Sequence, residues 1–198
     1  TVSAKQLRDW DNAHVWHPFT AMSAYVDEHA PIIADADGFD LIDVDGRKYL
    51  DGISSLWCNV HGHRVPEIDD AVRAQLDRVS HSTMLGLSSE VSIRLAKALV
   101  DITPGNLTKV FYSDSGATAV EVALKLAYQY HQQKAAPETA RDTFISVGNA
   151  YHGDTLGSVS VGSMDVFHRT YSNLLFPTVV VPSPIATRVP DGYDRDSW

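Results

Sequence analysis

"KVFYSDSGATAVEVALK", residues 109–125, decides the fold. Val110, Phe111 and Tyr112 are apolar and β-prone, which predicts a short strand over 109–113. Apolar residues at helical spacing then predict a helix over 118–133. A strand that turns into a helix through a small polar corner is a building unit of a parallel α/β sheet. The corner, Ser-Asp-Ser-Gly-Ala-Thr (113–118), has two readings. In the first, Ser115 or Thr118 caps the helix and Gly116 makes the turn, with Thr118 to Glu121 fitting a capping box. In the second, the free amides of the helix N-terminus and the Ser115 hydroxyl bind a phosphate, and Gly116 and Ala117 let it approach the backbone. No Gly-Lys-Ser/Thr follows, so this is not a Walker loop. The three glycines of a dinucleotide fingerprint are also absent.

Working outward, "TFISVG" (143–148) and "TVVVP" (178–182) are expected to be buried strands. Residues 65–81 and 88–103 have helical spacing, with Ser88 or Ser89 as N-cap and Pro104 just beyond the second helix. Residues 32–50 alternate apolar and polar side chains around Asp37-Gly38 and Asp45-Gly46, which predicts an antiparallel meander. Residues 183–198 are polar and Pro-rich, and no element is expected there.

The chain has 198 residues, 44% of them hydrophobic, enough for a core. Its formal net charge is -9 and its pI about 5.3, with no basic block. That argues against nucleic acid or an anionic membrane as the main partner. The single cysteine, Cys58, cannot form an intrachain disulfide, so a reduced, cytoplasmic protein is expected. No apolar stretch approaches the roughly 20 residues of a membrane span.

Three further stretches hold candidate site residues. "NAYHGDT" (149–155) places Tyr151, His152 and Asp154 at a strand end, where a ring could stack on a planar cofactor; the plain reading is a surface turn. "SSLWCNVHGH" (54–63) offers Trp57 as a pocket wall. Its His61 and His63 suit turn hydrogen bonds better than a metal, since no ligand set stands at a known spacing. "HVWHPFT" (14–20) is an N-terminal segment docked on the core or a lid over a pocket. A hydrolase using Ser115, His152 and Asp154 is a weaker alternative. There is no Gly-x-Ser-x-Gly elbow, and a His two residues from its Asp is poorly placed to be oriented by it.

Together "WHPFT", "DVDGRKYLDGISSLW", "HGH", "DSGATAVEVALKLA" and "NAYHGDT" resemble the class III, fold-type I aminotransferases that use pyridoxal 5'-phosphate. Within them, "WHPFT" with "NAYHGDT" resembles the branch that works in biotin synthesis. The resemblance runs in order along nearly all of the chain. It implies that Ser115, Gly116 and Ala117 hold the cofactor phosphate and that Tyr151 stacks on the ring with His152 beside it. It implies that Trp57, Phe19 and Tyr151 line the substrate pocket, that Asp154 lies near the amino-donor site, and that Gly86 lies near a homodimer interface. The implied acceptor is 8-amino-7-oxononanoate, and the implied donor S-adenosylmethionine or lysine. Residues 1–62 would form the N-terminal segment and meander of the small domain. Residues 63–198 would form an incomplete cofactor-binding α/β domain.

Two departures fall on the substrate side: Phe19 stands where many members have Tyr, and Leu56-Trp57 where many have two tryptophans. The family's Schiff-base lysine and its pyridine-pairing Asp would follow Trp198, and Lys5, Lys48, Lys97, Lys109, Lys125 and Lys134 do not match the lysine motif. The chain is therefore expected to be an N-terminal portion, inactive alone. Another class III omega-aminotransferase, or a truncated paralogue serving as a binding or dimerisation module, remains the alternative.

Overall fold

The two Asp-Gly pairs form the expected meander. Strands β1 (Ile33–Asp37), β2 (Asp40–Asp43) and β3 (Lys48–Leu50) pair antiparallel in the order β1-β2-β3. Asp37 faces Asp40 across a two-residue loop, and Gly38 and Gly46 take φ of 57° and 82°, which a Cβ would oppose. The computed structural model describes residues 2–164, 169–183, 189, 191–194 and 196. Much of the Pro-rich stretch 183–198 therefore lies outside the described residues. The chain divides into two compact units, residues 1–92 and 93–198.

In the first unit, two helices that the sequence pattern did not predict precede the meander. They are α1 (Ala4–His14), capped by Ser3, and α2 (Met22–Glu28). The signal for α1 is present, Leu7 and Trp10 standing at helical spacing behind a Ser3 cap, whereas α2 has seven residues, too few for periodicity to show. A single turn, α3 (Ser54–Trp57), follows β3. Helix α4 (Pro66–Leu76) starts with proline in its first turn and carries Glu67 and Asp69 there, where the helix dipole favours them. It stops short of the expected 81.

Helix α5 (Glu90–Ile102) spans the division between the units. Of the two cap candidates, Ser89 takes the role: its Oγ accepts from the Ser92 amide at 3.2 Å.

The second unit holds α6 (Gly116–Gln133), β4 (Phe144–Val147), α7 (Leu156–Ser160), a 3-10 helix (Arg169–Leu174) and β5 (Thr178–Val181). Strands β4 and β5 pair parallel, Phe144 opposite Thr178 through Val147 opposite Val181, as the α/β pattern requires. Two expectations fail here. Residues 109–113 lie in no strand, because a strand exists only with a ladder partner and none of the described strands pairs with them. The β strands are also largely exposed, Ile145 by 70%. A parallel sheet is buried when helices cover both its faces; here Val120, Leu124, Ala127, Ile145 and Val147 line an open groove. Among the described residues, the buried apolar side chains are Val159 and Val161.

Candidate cofactor and substrate site

Ser115 is the N-cap of α6, in an extended conformation with φ -153° and ψ 165°. Its Oγ accepts from the Thr118 amide at 3.2 Å, and its own amide donates to Thr118 Oγ1 at 3.1 Å. The capping box is therefore Ser115–Thr118, one turn earlier than the expected Thr118–Glu121, and the helix starts at Gly116. The Thr118 hydroxyl oxygen supplies the return acceptor that a glutamate carboxylate more often supplies. Thr118 also donates to Asp114 at 2.6 Å, and that hydrogen bond holds the Asp114 carboxyl below its usual range. A Cβ built on Gly116 meets nothing within 4 Å, so the backbone there is open to a ligand.

Glu121, freed from capping, reaches a different partner. Its Oε1 accepts from the Gly157 amide at 2.7 Å. The Thr155 hydroxyl lowers its pKa most. Burial opposes this, and the Gly157 and Ser158 amides and the Lys125 charge reinforce it. The carboxylate thus ties the start of α7 to α6. Gly153, with φ 122°, completes the joint: a Cβ there would lie 2.5 Å from Ala117 Cβ and 2.8 Å from Ala117 Cα. The "NAYHGDT" loop therefore lies against the first turn of α6. Of the expected cofactor residues, Ala117 meets the loop carrying Tyr151 and His152 through Gly153, and Ser115 and Gly116 precede it in the same turn. Glu121 and Gly153 were missed by sequence reasoning. Gly153-Asp154 has ordinary turn composition, and nothing local pairs positions 36 residues apart.

Tyr151 Oη donates to Asp154 Oδ2 at 2.5 Å. That bond, with burial and the Asp154 charge, raises the phenol pKa. His152 lines the groove between α6 and β4. Asp154 is engaged by Tyr151 rather than orienting His152, so the Ser115–His152–Asp154 alternative lacks its second link.

The expected substrate-side residues Trp57, Phe19 and Gly86 lie in the first unit. Phe19 (φ 53°) is 80% exposed and sits between α1 and α2. Its neighbours are braced: Asp11 accepts from Tyr25 Oη at 2.9 Å and lies 3.0 Å from His17 Nε2. Burial and the Asp11 bond raise the Tyr25 pKa. Gly86 has φ 76° in open space. Trp57 is 73% exposed. It ends a turn in which Ser54, Ser55, Leu56 and Trp57 all have positive φ, a left-handed course that costs L-residues about 1–2 kcal/mol each.

His63 Nε2 lies 2.8 Å from Asp51 Oδ2. Among the described residues no group of three His, Cys, Asp or Glu is placed to hold a metal. Nor is any helix there long and apolar enough to cross a membrane.

The class-III aminotransferase family model matches residues 21–193, and the chain belongs to that family. The parallel pair and its helices are part of the fold-type I α/β architecture. The chain is 57% identical over 185 residues to an adenosylmethionine-8-amino-7-oxononanoate aminotransferase of Nitratidesulfovibrio vulgaris, covering 93% of this chain and 34% of that protein. It superposes on the crystal structure of the same-named enzyme of Methanocaldococcus jannaschii with a TM-score of 0.87 at 48% identity, covering 91% of this chain and 41% of that one. An amine transaminase from an uncultivated Pseudomonas species, solved in its PLP-bound form, matches with a TM-score of 0.80 at 33% identity and coverages of 89% and 40%. The chain thus spans well under half the length of these relatives. Class-III aminotransferases use pyridoxal 5'-phosphate.

Proposed function

We propose that residues 1–198 carry the cofactor-phosphate corner and part of the substrate wall of an aminotransferase of biotin synthesis. The reaction moves an amino group from S-adenosylmethionine or lysine to 8-amino-7-oxononanoate, giving 7,8-diaminononanoate. One observation carries the reading: Gly153 packed on Ala117 brings the Tyr151 loop onto the open first turn of α6. In this reading the enzyme is a cytoplasmic homodimer with Gly86 near its interface. Residues 1–62 belong to its small domain and 63–198 to its large one.

The residues present fit the cofactor's phosphate. The Gly116 and Ala117 amides, at the first turn, have no intrahelical acceptor. The Ser115 Oγ accepts from the Thr118 amide and lies 3.0 Å from Thr118 Oγ1, so its hydroxyl would turn from Thr118 to an arriving anion. The dipole of an 18-residue helix adds positive potential there. Tyr151 offers a ring whose orientation is fixed by Asp154. Once bound, the cofactor supplies the electron sink for the carbanion chemistry. This chain's residues hold its phosphate and orient its ring, and Trp57 and Phe19 are read as substrate-side residues from their motifs. No lysine of residues 1–198 is proposed as the covalent partner.

Gly116→Val tests the corner. The substituent points into open space, so α6 should remain folded while cofactor affinity falls at least tenfold, as expected for losing a good hydrogen bond to a charged group, about 1.5–3 kcal/mol. Inorganic phosphate should compete with the cofactor in the wild type. Unchanged affinity in the variant would return the stretch to being only a cap. Phe19 and Leu56 favour a second reading, another omega-aminotransferase of the class. Donor and acceptor assays with 8-amino-7-oxononanoate and a simple amine donor separate the two. Phosphate-competable binding with no turnover by the protein of the complete reading frame would indicate a non-catalytic paralogue.

A further inference from the structure

The left-handed turn Ser54–Trp57 is held from below by one carboxylate. Asp51 follows β3, and its amide donates to Phe39 O at 2.8 Å. Its side chain is only 5% exposed. Oδ1 accepts from the Ser55 amide at 2.7 Å, and Oδ2 accepts from Ser55 Oγ at 2.7 Å. These two bonds capture the turn at its second residue, where φ is 47° and ψ 51°.

His63 holds the carboxylate from the other side at 2.8 Å, and its amide donates to Gly38 O at 2.6 Å. Gly62 permits this approach, since a Cβ there would lie 2.8 Å from Gly38 O. The hairpin loop, the "HGH" segment and the turn therefore meet at Asp51. The Ser55 amide and hydroxyl together outweigh burial and, with His63, keep the carboxyl below its usual range. A strained stretch persists only where its surroundings over-determine it, and Trp57 at its end is left exposed.

We propose that Asp51 is a positioning residue for the pocket wall formed by Leu56 and Trp57: its carboxylate holds the left-handed turn, and His63 holds the carboxylate. This rests on the reading of Trp57 as a substrate-side residue. The second histidine of "HGH" is thus a support for the wall.

The test uses the cofactor-loaded protein of the complete reading frame, with 5-fluorotryptophan incorporated and the Trp57 resonance assigned by Trp57→Phe. Asp51→Ala removes both acceptors, Asp51→Asn keeps one, and Ser55→Ala removes one donor while leaving the buried carboxylate in place. KM for 8-amino-7-oxononanoate should rise about tenfold in Asp51→Ala, with smaller rises in the other two, and kcat and cofactor affinity within twofold. The Trp57 resonance should shift or broaden in the same order. An unmoved resonance in Asp51→Asn and Ser55→Ala overturns the proposal even if Asp51→Ala fails to fold. A moved resonance with unchanged KM overturns the positioning role. A wild type without cofactor binding or turnover sinks the aminotransferase reading instead, and the resonance alone then decides whether Asp51 holds the turn.

Discussion

Asp43 is buried at the end of β2 and gathers four hydrogen bonds on one carboxylate. The Asp45 and Arg47 amides donate to Oδ1 at 2.9 Å each, and Tyr49 Oη and Arg47 Nε donate to Oδ2 at 2.9 and 3.0 Å. Burial pushes its pKa up, but the Arg47 amide, the Tyr49 hydroxyl, the Asp45 amide and the Arg47 charge outweigh it and hold the carboxyl low. A folded-state pKa below the unfolded one gives stability that is full above the unfolded value and lost as pH falls through the folded value. Hydrogen-exchange protection of the Asp45 and Arg47 amides should therefore fall on acidification below the ordinary carboxylate range. In Asp43→Asn it should start lower and lose that pH dependence. Equal protection in both proteins would remove Asp43 from this role. The hairpins around it were legible, because Asp-Gly between alternating runs announces a turn. The inward Asp was not, because alternation assigns a side chain to a face without saying what it meets.

At the scale of the element, α6 shows what local pattern can and cannot specify. Its amphipathic spacing fixed its existence, while its start depended on which hydroxyl turned back. Ser115→Ala should destabilise the chain by about 1 kcal/mol, the usual worth of a cap, seen as a lower urea midpoint. An unmoved midpoint would mean that Thr118 caps alone. The corner's residues, Ser115 to Ala117, could be named from the motif. Their support from Glu121 and Gly153 could not, since that joint depends on the path of the chain between α6 and α7. Residues 109–113 illustrate the reverse failure. Their composition is that of a strand, but composition cannot supply a partner.

For the whole chain, the balance of apolar surface matters most. Ile145, Val147, Val179 and Val180 of the parallel pair are exposed, as are Phe111, Leu124's neighbour Leu126 and much of α5. Among the described residues, both edges of the parallel pair are unpaired and its apolar faces uncovered, which invites association. The 198-residue chain expressed by itself should bind a hydrophobic dye and elute as more than one species in gel filtration, with its net charge of -9 slowing but not preventing this. A single monomeric peak without dye binding would contradict that expectation. The parallel α/β class was readable from the alternation of strand and helix patterns. The exposure of its strands was not, because burial depends on layers that lie far along a chain.

The Glu121–Gly157 joint also constrains how this sequence can vary. A Cβ at position 157 would collide with the Glu121 carboxylate, and a change at Glu121 would lose the acceptor of the Gly157 amide, so each position bears on the other. Among proteins that share this corner, a larger residue at 157 should be accompanied by a shorter acceptor at 121. Gly157→Ala should be disruptive in the present background and milder when combined with Glu121→Asp, a coupling that a double-mutant cycle would read directly. Strictly additive effects would show the two positions to be energetically independent.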